Sequence, residues 1–346
     1  MKNINNLKYI YWWLVICCSL VFIMVFIGGL TRLTESGLSI VEWNIFKGIL
    51  PPLKGTDWID LFEKYKKYPE FLLVNKNINL DQFKFIFWME YIHRIWGRLI
   101  FLVFFIPLIT FLIKKLIPKK FIKHFFIILS LIILQGFFGW YMVKSGLINK
   151  PDVSHYRLSL HLVTAFIIYG YLLFITFCIY DLKKNRKKIF TKNKNLRFVN
   201  LILICLIVVT VFSGGMVAGL DAGLTYNTFP FMGEKLIPID IWYLEPKFLN
   251  FFENPVTVQF DHRVLGVTTL FLTIIFWICI MLNDLSLDIK KKATILLIVV
   301  FIQIIFGIAT LLSYVSIPIA IMHQSGALIL FSISIWTLKS LPFVSK

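Results

Sequence analysis

Eight stretches of the chain carry little charge for long enough to cross a bilayer, and polar or basic segments separate them. They fall near residues 10–30, 85–113, 124–143, 157–180, 198–219, 260–282, 293–313 and 319–338. A hydrocarbon core about 30 Å thick takes roughly 20 residues of helix. The pattern therefore predicts eight transmembrane helices in an all-α polytopic membrane protein. The first run follows Lys2 and Lys8, as the apolar segment of a signal peptide would. It is longer than such a segment and enters Gly28-Gly29-Leu30-Thr31-Arg32 with no small-x-small cleavage site, which predicts a retained helix.

Composition rules out the alternative that 346 residues would otherwise allow, two or three soluble domains. Only 16% of residues are charged against 58% apolar, Phe occurs 35 times, and mean hydropathy is +0.80. The net charge of +18 sits in blocks between apolar runs, where membrane topology puts it, so it does not predict a nucleic-acid partner. One block holds Lys114, Lys115, Lys119, Lys120 and Lys123; a second spans Lys183 to Arg197; a third is Lys290-Lys291-Lys292. The link between the last two runs has no Lys or Arg. The positive-inside bias then places both termini in the cytoplasm and turns the two longest links, 31–84 and 220–259, outward. Both links are rich in Pro, Trp and Tyr, and Asp57-Trp58-Ile59-Asp60-Leu61-Phe62 reads as an interfacial amphipathic helix. The five cysteines all lie in apolar runs without a CxxC pair, which argues against disulfides, a zinc knuckle and covalent c-type haem.

The chain repeats itself. Gly28-Gly29 leads to Glu35-x-Gly37-Leu38-Ser39, and Gly214-Gly215 leads to Asp221-x-Gly223-Leu224-Thr225. His93-Arg94-x-x-Gly97 recurs as His262-Arg263-x-x-Gly266, Gln135-x-x-Phe138-Gly139 recurs as Gln303-x-x-Phe306-Gly307, and His161 corresponds to His323. The offsets of 186, 169, 168 and 162 drift only with loop length. With four runs per half the repeats share one orientation. The expectation is two pseudo-symmetric four-helix bundles, 1–197 and 198–346, related by an axis along the membrane normal.

Four of the six histidines, His93, His161, His262 and His323, lie near the outer ends of even-numbered runs, within the outer leaflet. Polar groups there are expensive and usually functional. A single such His can be satisfied by a neighbouring helix; four in a repeated pattern point to paired imidazoles holding b-type haem. Gly97 and Gly266 would give a flat macrocycle room one turn from a ligand. Arg94 and Arg263 would reach propionates or snorkel to lipid phosphate. His124 is expected to be solvated at a basic helix start, and His155 to be interfacial. Only the first half has a carboxyl one turn before its His, Glu90, where the second has Gln259. In an apolar site that carboxyl would suit proton transfer or stabilisation of positive charge, and paired with Arg94 or Arg98 it would be structural. On the functional reading the first half does chemistry and the second carries electrons. A di-haem b cytochrome that only passes electrons needs the same histidines but has no use for Glu90 in one half. A transporter would place its polar groups at the midplane.

These residues resemble the haem A synthase family over nearly the whole chain. The resemblance rests on Gly28-Gly29-Leu-Thr-Arg32-Leu-Thr-Glu35-Ser-Gly37, Trp43, Pro51-Pro52 and Glu90-Tyr-Ile-His93-Arg94-x-x-Gly97-Arg98. It continues through Tyr156-Arg157-Leu-x-Leu-His161, Gly214-Gly215-Met-Val-Ala-Gly219-Leu-Asp221, Tyr226-Asn227-Thr-Phe-Pro230 and Asp261-His262-Arg263. It is similar to the mitochondrial and proteobacterial branch, which lacks an outer-loop cysteine pair; His155 departs from the more frequent Gln. The resemblance implies an oxidoreductase acting on a CH group of haem O, converting its C8 methyl to formyl to give haem A for terminal oxidases. It implies that His93 and His161 hold the substrate haem, that Glu90 assists at the methyl, and that His262 and His323 ligate a resident haem b near Arg263. It also implies an inner-membrane location among lipid and a partnership with haem O synthase, the protohaem farnesyltransferase, and leaves a homo-oligomer open.

Overall fold

A computed structural model describes residues 2–41, 50–147, 152–185, 190–191, 195–341 and 343–344. Trp43 of the sequence motif lies outside the described residues. Eight helices among them are long and apolar enough to cross a membrane. They are α1 (Lys2–Leu33), α4 (Leu80–Ile113), α5 (Lys119–Gly146), α6 (His155–Lys183), α7 (Asn195–Gly219), α9 (Pro255–Leu282), α10 (Leu287–Leu312) and α11 (Ile317–Ser340). Shorter α2 (Gly55–Tyr65), α3 (Pro69–Leu73) and α8 (Asn250–Glu253) lie in the two long links. The chain is a multi-pass, all-α membrane protein.

The helices outrun the apolar stretches at their polar ends because caps there satisfy the first backbone N–H groups. Asn79 opens α4 five residues before the apolar run, its Oδ1 accepting from the N–H of Asp81 and Gln82 while Gln82 Oε1 accepts from Asn79 N–H. Asn254 opens α9 in the same way, followed by Pro255 at the first helical position.

Neighbour relations follow the repeat. In the first half α1 packs on α4 and α6, and α5 packs on α4 and α6. In the second, α7 packs on α9 and α11, and α10 packs on α9 and α11. Two indole N–H groups pin α1 to α4, Trp13 donating to Val103 O and Trp96 to Leu20 O. The halves meet through α6 on α7, α1 on α11 and α6 on α11. Small residues set these approaches: a methyl group at Gly29 would lie 2.9 Å from Ile321 Cδ1 of α11, and one at Gly215 would lie 2.9 Å from Ser159 Cα of α6. Ile321 and Ser159 are themselves equivalent under the offset of 162 seen for the histidines. At Gly170 the intruding groups are Phe331 and Ile335 of α11. Beyond the helices, β1 (Phe190–Thr191) and β2 (Phe343–Val344) pair in parallel over two residues.

The predicted amphipathic segment is helical as α2, but its apolar face docks on protein. Phe62 and Tyr65 are buried against Phe83 and Phe87 of α4, with Phe62 stacked on Phe83 at 5.0 Å between centroids. The second long link is organised by amides instead. Asn250 bonds both N–H and C=O of Leu244, and Asn254 donates to Asp240 O.

Candidate functional site

All four repeated histidines face a glycine on the adjacent helix of their own half. A methyl at Gly28 would lie 3.4 Å from His93 Nε2; one at Gly139, 3.2 Å from His161 Cε1. At Gly214 it would lie 3.1 Å from His262 Cε1, and at Gly307, 2.9 Å from His323 Cε1. The glycine doublets thus divide their work. Gly28 and Gly214 make room for an imidazole of their own half, while Gly29 and Gly215 admit a helix of the other.

Polar partners hold the rings. Gln135 Nε2 donates to His161 O at 3.0 Å, and its counterpart Gln303 donates to His323 O at 2.9 Å. Gln303 Nε2 also reaches His323 Nδ1 at 3.1 Å, and Ser213 Oγ lies 2.7 Å from His262 Nδ1. These contacts leave the Nε2 of His262 and His323 without a hydrogen bond among the described residues. The two rings stand 6.3 Å apart between centroids and perpendicular, at 89°. In the first half His93 and His161 lie within electrostatic range of one another, and His161 Nδ1 is buried with no partner. The counterpart of Ser213 is Ile27, so His93 has no comparable hydroxyl.

Glu90 does not sit in an apolar site. It is 2% exposed, and both its oxygens are used. Oε2 accepts from Ser39 Oγ at 2.7 Å and Ile40 N–H at 2.8 Å, and Oε1 accepts from Arg94 Nε at 3.0 Å and Nη2 at 2.5 Å. Arg94 also donates to Ile40 O, so the guanidinium and the carboxylate clamp the N–H and C=O of one residue between them. The second half builds the same frame without the charge. Gln259 Nε2 and Arg263 Nη2 both donate to O of Tyr226, the residue equivalent to Ile40. Arg263 further donates to Thr228 O, and its Nε is buried with no partner.

A family model described as cytochrome oxidase assembly protein, COX15-CtaA, matches residues 11–335. The heme A synthase of Nitrosospira multiformis is 47% identical over 94% of this chain and 91% of its own length. That of Wolbachia sp. subsp. Brugia malayi is 45% identical over 92% of each chain, and that of Rickettsia felis 45% over 94% and 95%. The chain belongs to the haem A synthase family.

For a haem A synthase family member the test of the frame is whether it fits haem. An imidazole nitrogen binds a first-row metal at about 2 Å and the ring centre lies roughly 1.1 Å behind it, so two axial imidazoles stand about 6 Å apart. The 6.3 Å between His262 and His323 fits that separation. Glycines 97 and 266, one turn along from His93 and His262, face room rather than packing. Among the described residues, a methyl there would meet within 4 Å only Met24 Cε and only Ile304 Cδ1, respectively. Space of this kind at both glycines is compatible with a flat macrocycle lying beside each histidine.

Other expectations are corrected. His124 is not merely solvated: its Nδ1 lies 2.6 Å from the Tyr171 hydroxyl. His155, two residues ahead of the apolar run, already begins α6, packed on Gly219, with its Nε2 3.7 Å from Glu253 Oε2. It lines a cavity of about 1140 Å³ with Tyr156 and Glu253. Sequence reasoning missed the ring-holding roles of Gln135, Gln303 and Ser213 and the hydroxyl of Ser39. The Gln-x-x-Phe-Gly repeat was the available signal for the first two.

Proposed function

We propose that this protein makes haem A, oxidising the C8 methyl of haem O to a formyl group by successive hydroxylations through a geminal diol that loses water. His93 and His161 hold the substrate haem in a first unit, residues 1–197. His262 and His323 would hold haem b in a second, residues 198–346, where the unpartnered Nε of Arg263 would be available to a propionate. The two units are four-helix bundles related by a pseudo-twofold axis along the membrane normal. Haem b, when bound, supplies one-electron transfer.

The residues of the chain do the rest. Gln135 and Gln303 fix their histidines from the backbone outward, and Ser213, bonded to His262 Nδ1, leaves Nε2 as the nitrogen that would bind iron. Glu90 is tied at both oxygens, so it acts through a fixed negative charge one turn from His93, stabilising positive charge developing at the methyl rather than shuttling protons as a loose base. The observation that carries the reading is the His–Gly–Gln frame built twice, with a carboxylate in only one copy. A protein that merely passes electrons has no use for that difference.

The protein lies in the inner membrane with both termini cytoplasmic and both haem sites in the outer leaflet, as the basic links support. Haem O synthase is its partner, since the hydrophobic substrate then passes between membrane proteins without leaving them. The test is to purify the protein from membranes, extract its haem and identify the species by chromatography beside a reduced-minus-oxidised spectrum. Haem B together with haem O, haem A or a hydroxylated form between them is expected. Haem B alone would support the electron carrier, and no haem would refute both.

A further inference from the structure

The cavity of about 1140 Å³ beside His155 lies on the seam between the halves, where the ends of α5, α6 and α7 meet α8. Phe137, Trp140 and Tyr141 line it from one face of α5. Phe137 and Tyr141 are exposed on a helix long and apolar enough to span a membrane, so this face is open to lipid. Arg157 holds the Tyr141 ring in place, standing 3.6 Å from its centroid and donating to Tyr141 O at 2.7 Å. The polar lining includes His155, whose Nε2 is buried with no hydrogen-bond partner. Glu253 Oε2 is 3.7 Å from that nitrogen, and Glu253 Oε1 accepts from the Tyr156 hydroxyl at 2.6 Å. A buried ring nitrogen left unsatisfied calls for an explanation.

The repeat supplies a control. Under the offset of 168, Phe137, Trp140, Tyr141 and Lys144 correspond to Ile305, Ile308, Ala309 and Leu312. Under the offset of 162, His155, Tyr156 and Arg157 correspond to Ile317, Pro318 and Ile319. The second half makes the same helix ends from apolar residues, so the shared frame does not require the aromatic rings, the imidazole or the cations. The cavity also stands back to back with both pairs of histidines. His161 is six residues beyond His155, about 9 Å along α6. Gly214, which faces His262, is five residues before Gly219 of the cavity lining, about 8 Å along α7.

We infer that this cavity binds a membrane quinone, which accepts the electrons removed from haem O. The inference rests on the haem O oxidation proposed above and names its oxidant. An aromatic face takes a flat ring by stacking, and an imidazole N–H with no other partner donates to a carbonyl oxygen. A face open to lipid admits a molecule that travels in the membrane. Lipid phosphate fits less well, because Asp152, Asp221 and Glu253 outnumber Lys144 and Arg157 in the lining. With water as the oxygen source, converting the methyl to formyl releases four electrons and four protons. Two quinones take them up, each gaining two electrons and two protons as its two C=O groups become C–OH. His155 and the part-exposed Glu253 are groups able to carry protons from water to the quinone oxygen.

The test uses the full-length purified protein, with decyl benzoquinone as the probe. Calorimetric titration should show saturable binding. Binding should weaken about tenfold in His155→Leu and in Trp140→Leu, while His155→Gln, which keeps a donor, should retain most of it. Absence of saturable binding, or binding that neither Leu variant changes, overturns the site. Phospholipid that copurifies with the wild type, is lost from both variants and is not displaced by the quinone also overturns it, in favour of a lipid site. Without oxygen, the corresponding quinol should reduce the haem of the protein, and Glu253→Gln should slow that reduction about tenfold with the haem spectrum unchanged. Quinone that binds but exchanges no electrons with the haem overturns its role as oxidant. Wild-type protein that binds quinone and exchanges electrons yet forms no haem A would refute the proposed function and leave the quinone site standing.

Discussion

The clamp formed by Glu90 and Arg94 can be weighed by a double-mutant cycle. The pair is deeply buried, with side-chain exposures of 3% and 12% and an N–O separation of 2.5 Å, so solvent screens it little. Glu90→Gln keeps the shape but replaces one oxygen by an N–H₂. That group then faces either the Ser39 and Ile40 donors or the Arg94 guanidinium, so at least one buried donor loses its acceptor. Removing one partner of a buried ion pair costs about 3–5 kcal/mol, because the other charge is left uncompensated. Arg94→Gln should cost a similar amount, since it strands the carboxylate and also frees Ile40 O. The double variant leaves neither charge stranded. Gln259 with Arg263 in the second half already shows that this frame closes on backbone carbonyls with a neutral side chain at the first position. The double variant should therefore fall short of the sum of the singles by about 2 kcal/mol or more, within the range for residues in one network. Thermal denaturation of the purified protein in one detergent, all four variants side by side, measures this. Effects that add to within about 0.5 kcal/mol would refute the clamp as a coupled unit.

Ser213→Ala removes the hydroxyl beside His262 Nδ1 and should weaken haem retention at the second site about 10- to 100-fold, read by haem stoichiometry and by the reduced spectrum. Gly215→Ala puts a methyl 2.9 Å from the Ser159 backbone and should cost about 1–3 kcal/mol through separation of α6 from α7, measured as a lower Tm. Arg32→Ala removes a link to Asp221 that is 2.8 Å long but 29% and 62% exposed; it should cost no more than about 1 kcal/mol and less in high salt. Burial pushes the carboxyl of Glu70, 5% exposed on α3, up to about 8, and this has a linkage consequence of definite sign. Below its ordinary value of 4.5 it is protonated both folded and unfolded; between 4.5 and about 8 only the unfolded chain ionises it. Stability should thus decline as pH rises through that window, by on the order of 1 kcal/mol per unit, and level off above it. Glu70→Gln should remove the decline, as a series of unfolding curves across the window would show.

What could be read ahead of the structure was whatever has a period or a repeat. Membrane helices announce themselves by unbroken apolarity, and the repeated His, Gly-Gly and Gln-x-x-Phe-Gly spacings placed the four imidazoles and their helices. Helix ends were less legible, because caps such as Asn79 act through single side chains that look like ordinary loop residues. Glu90 was noticed for its asymmetry, and Arg94, one turn on, as a candidate partner; the bonds to Ser39 and Ile40 depend on a link returning over α4, which no local pattern reveals. Ser213 was invisible for the same reason: a serine in an apolar helix gives no sign of which ring it will meet. Glu70 carried least signal of all. In Tyr-Pro-Glu-Phe it looks like a solvated loop acid, yet in the fold it is 5% exposed.

The glycine doublets have a consequence for how such a chain came to exist. Gly29 admits α11 and Gly215 admits α6, and these two contacts are the same contact made twice, once in each direction. Reciprocity of that kind is the signature of an isologous interface, in which one patch on a subunit meets its own copy across a twofold axis. A four-helix ancestor carrying the doublet would already have possessed a self-complementary face, and fusing two copies would have required no new docking surface. Once the copies were joined, each position could change alone. The divergence of Glu90 from Gln259 is the kind of specialisation that a symmetric homodimer, bound to mutate both sites together, could never reach.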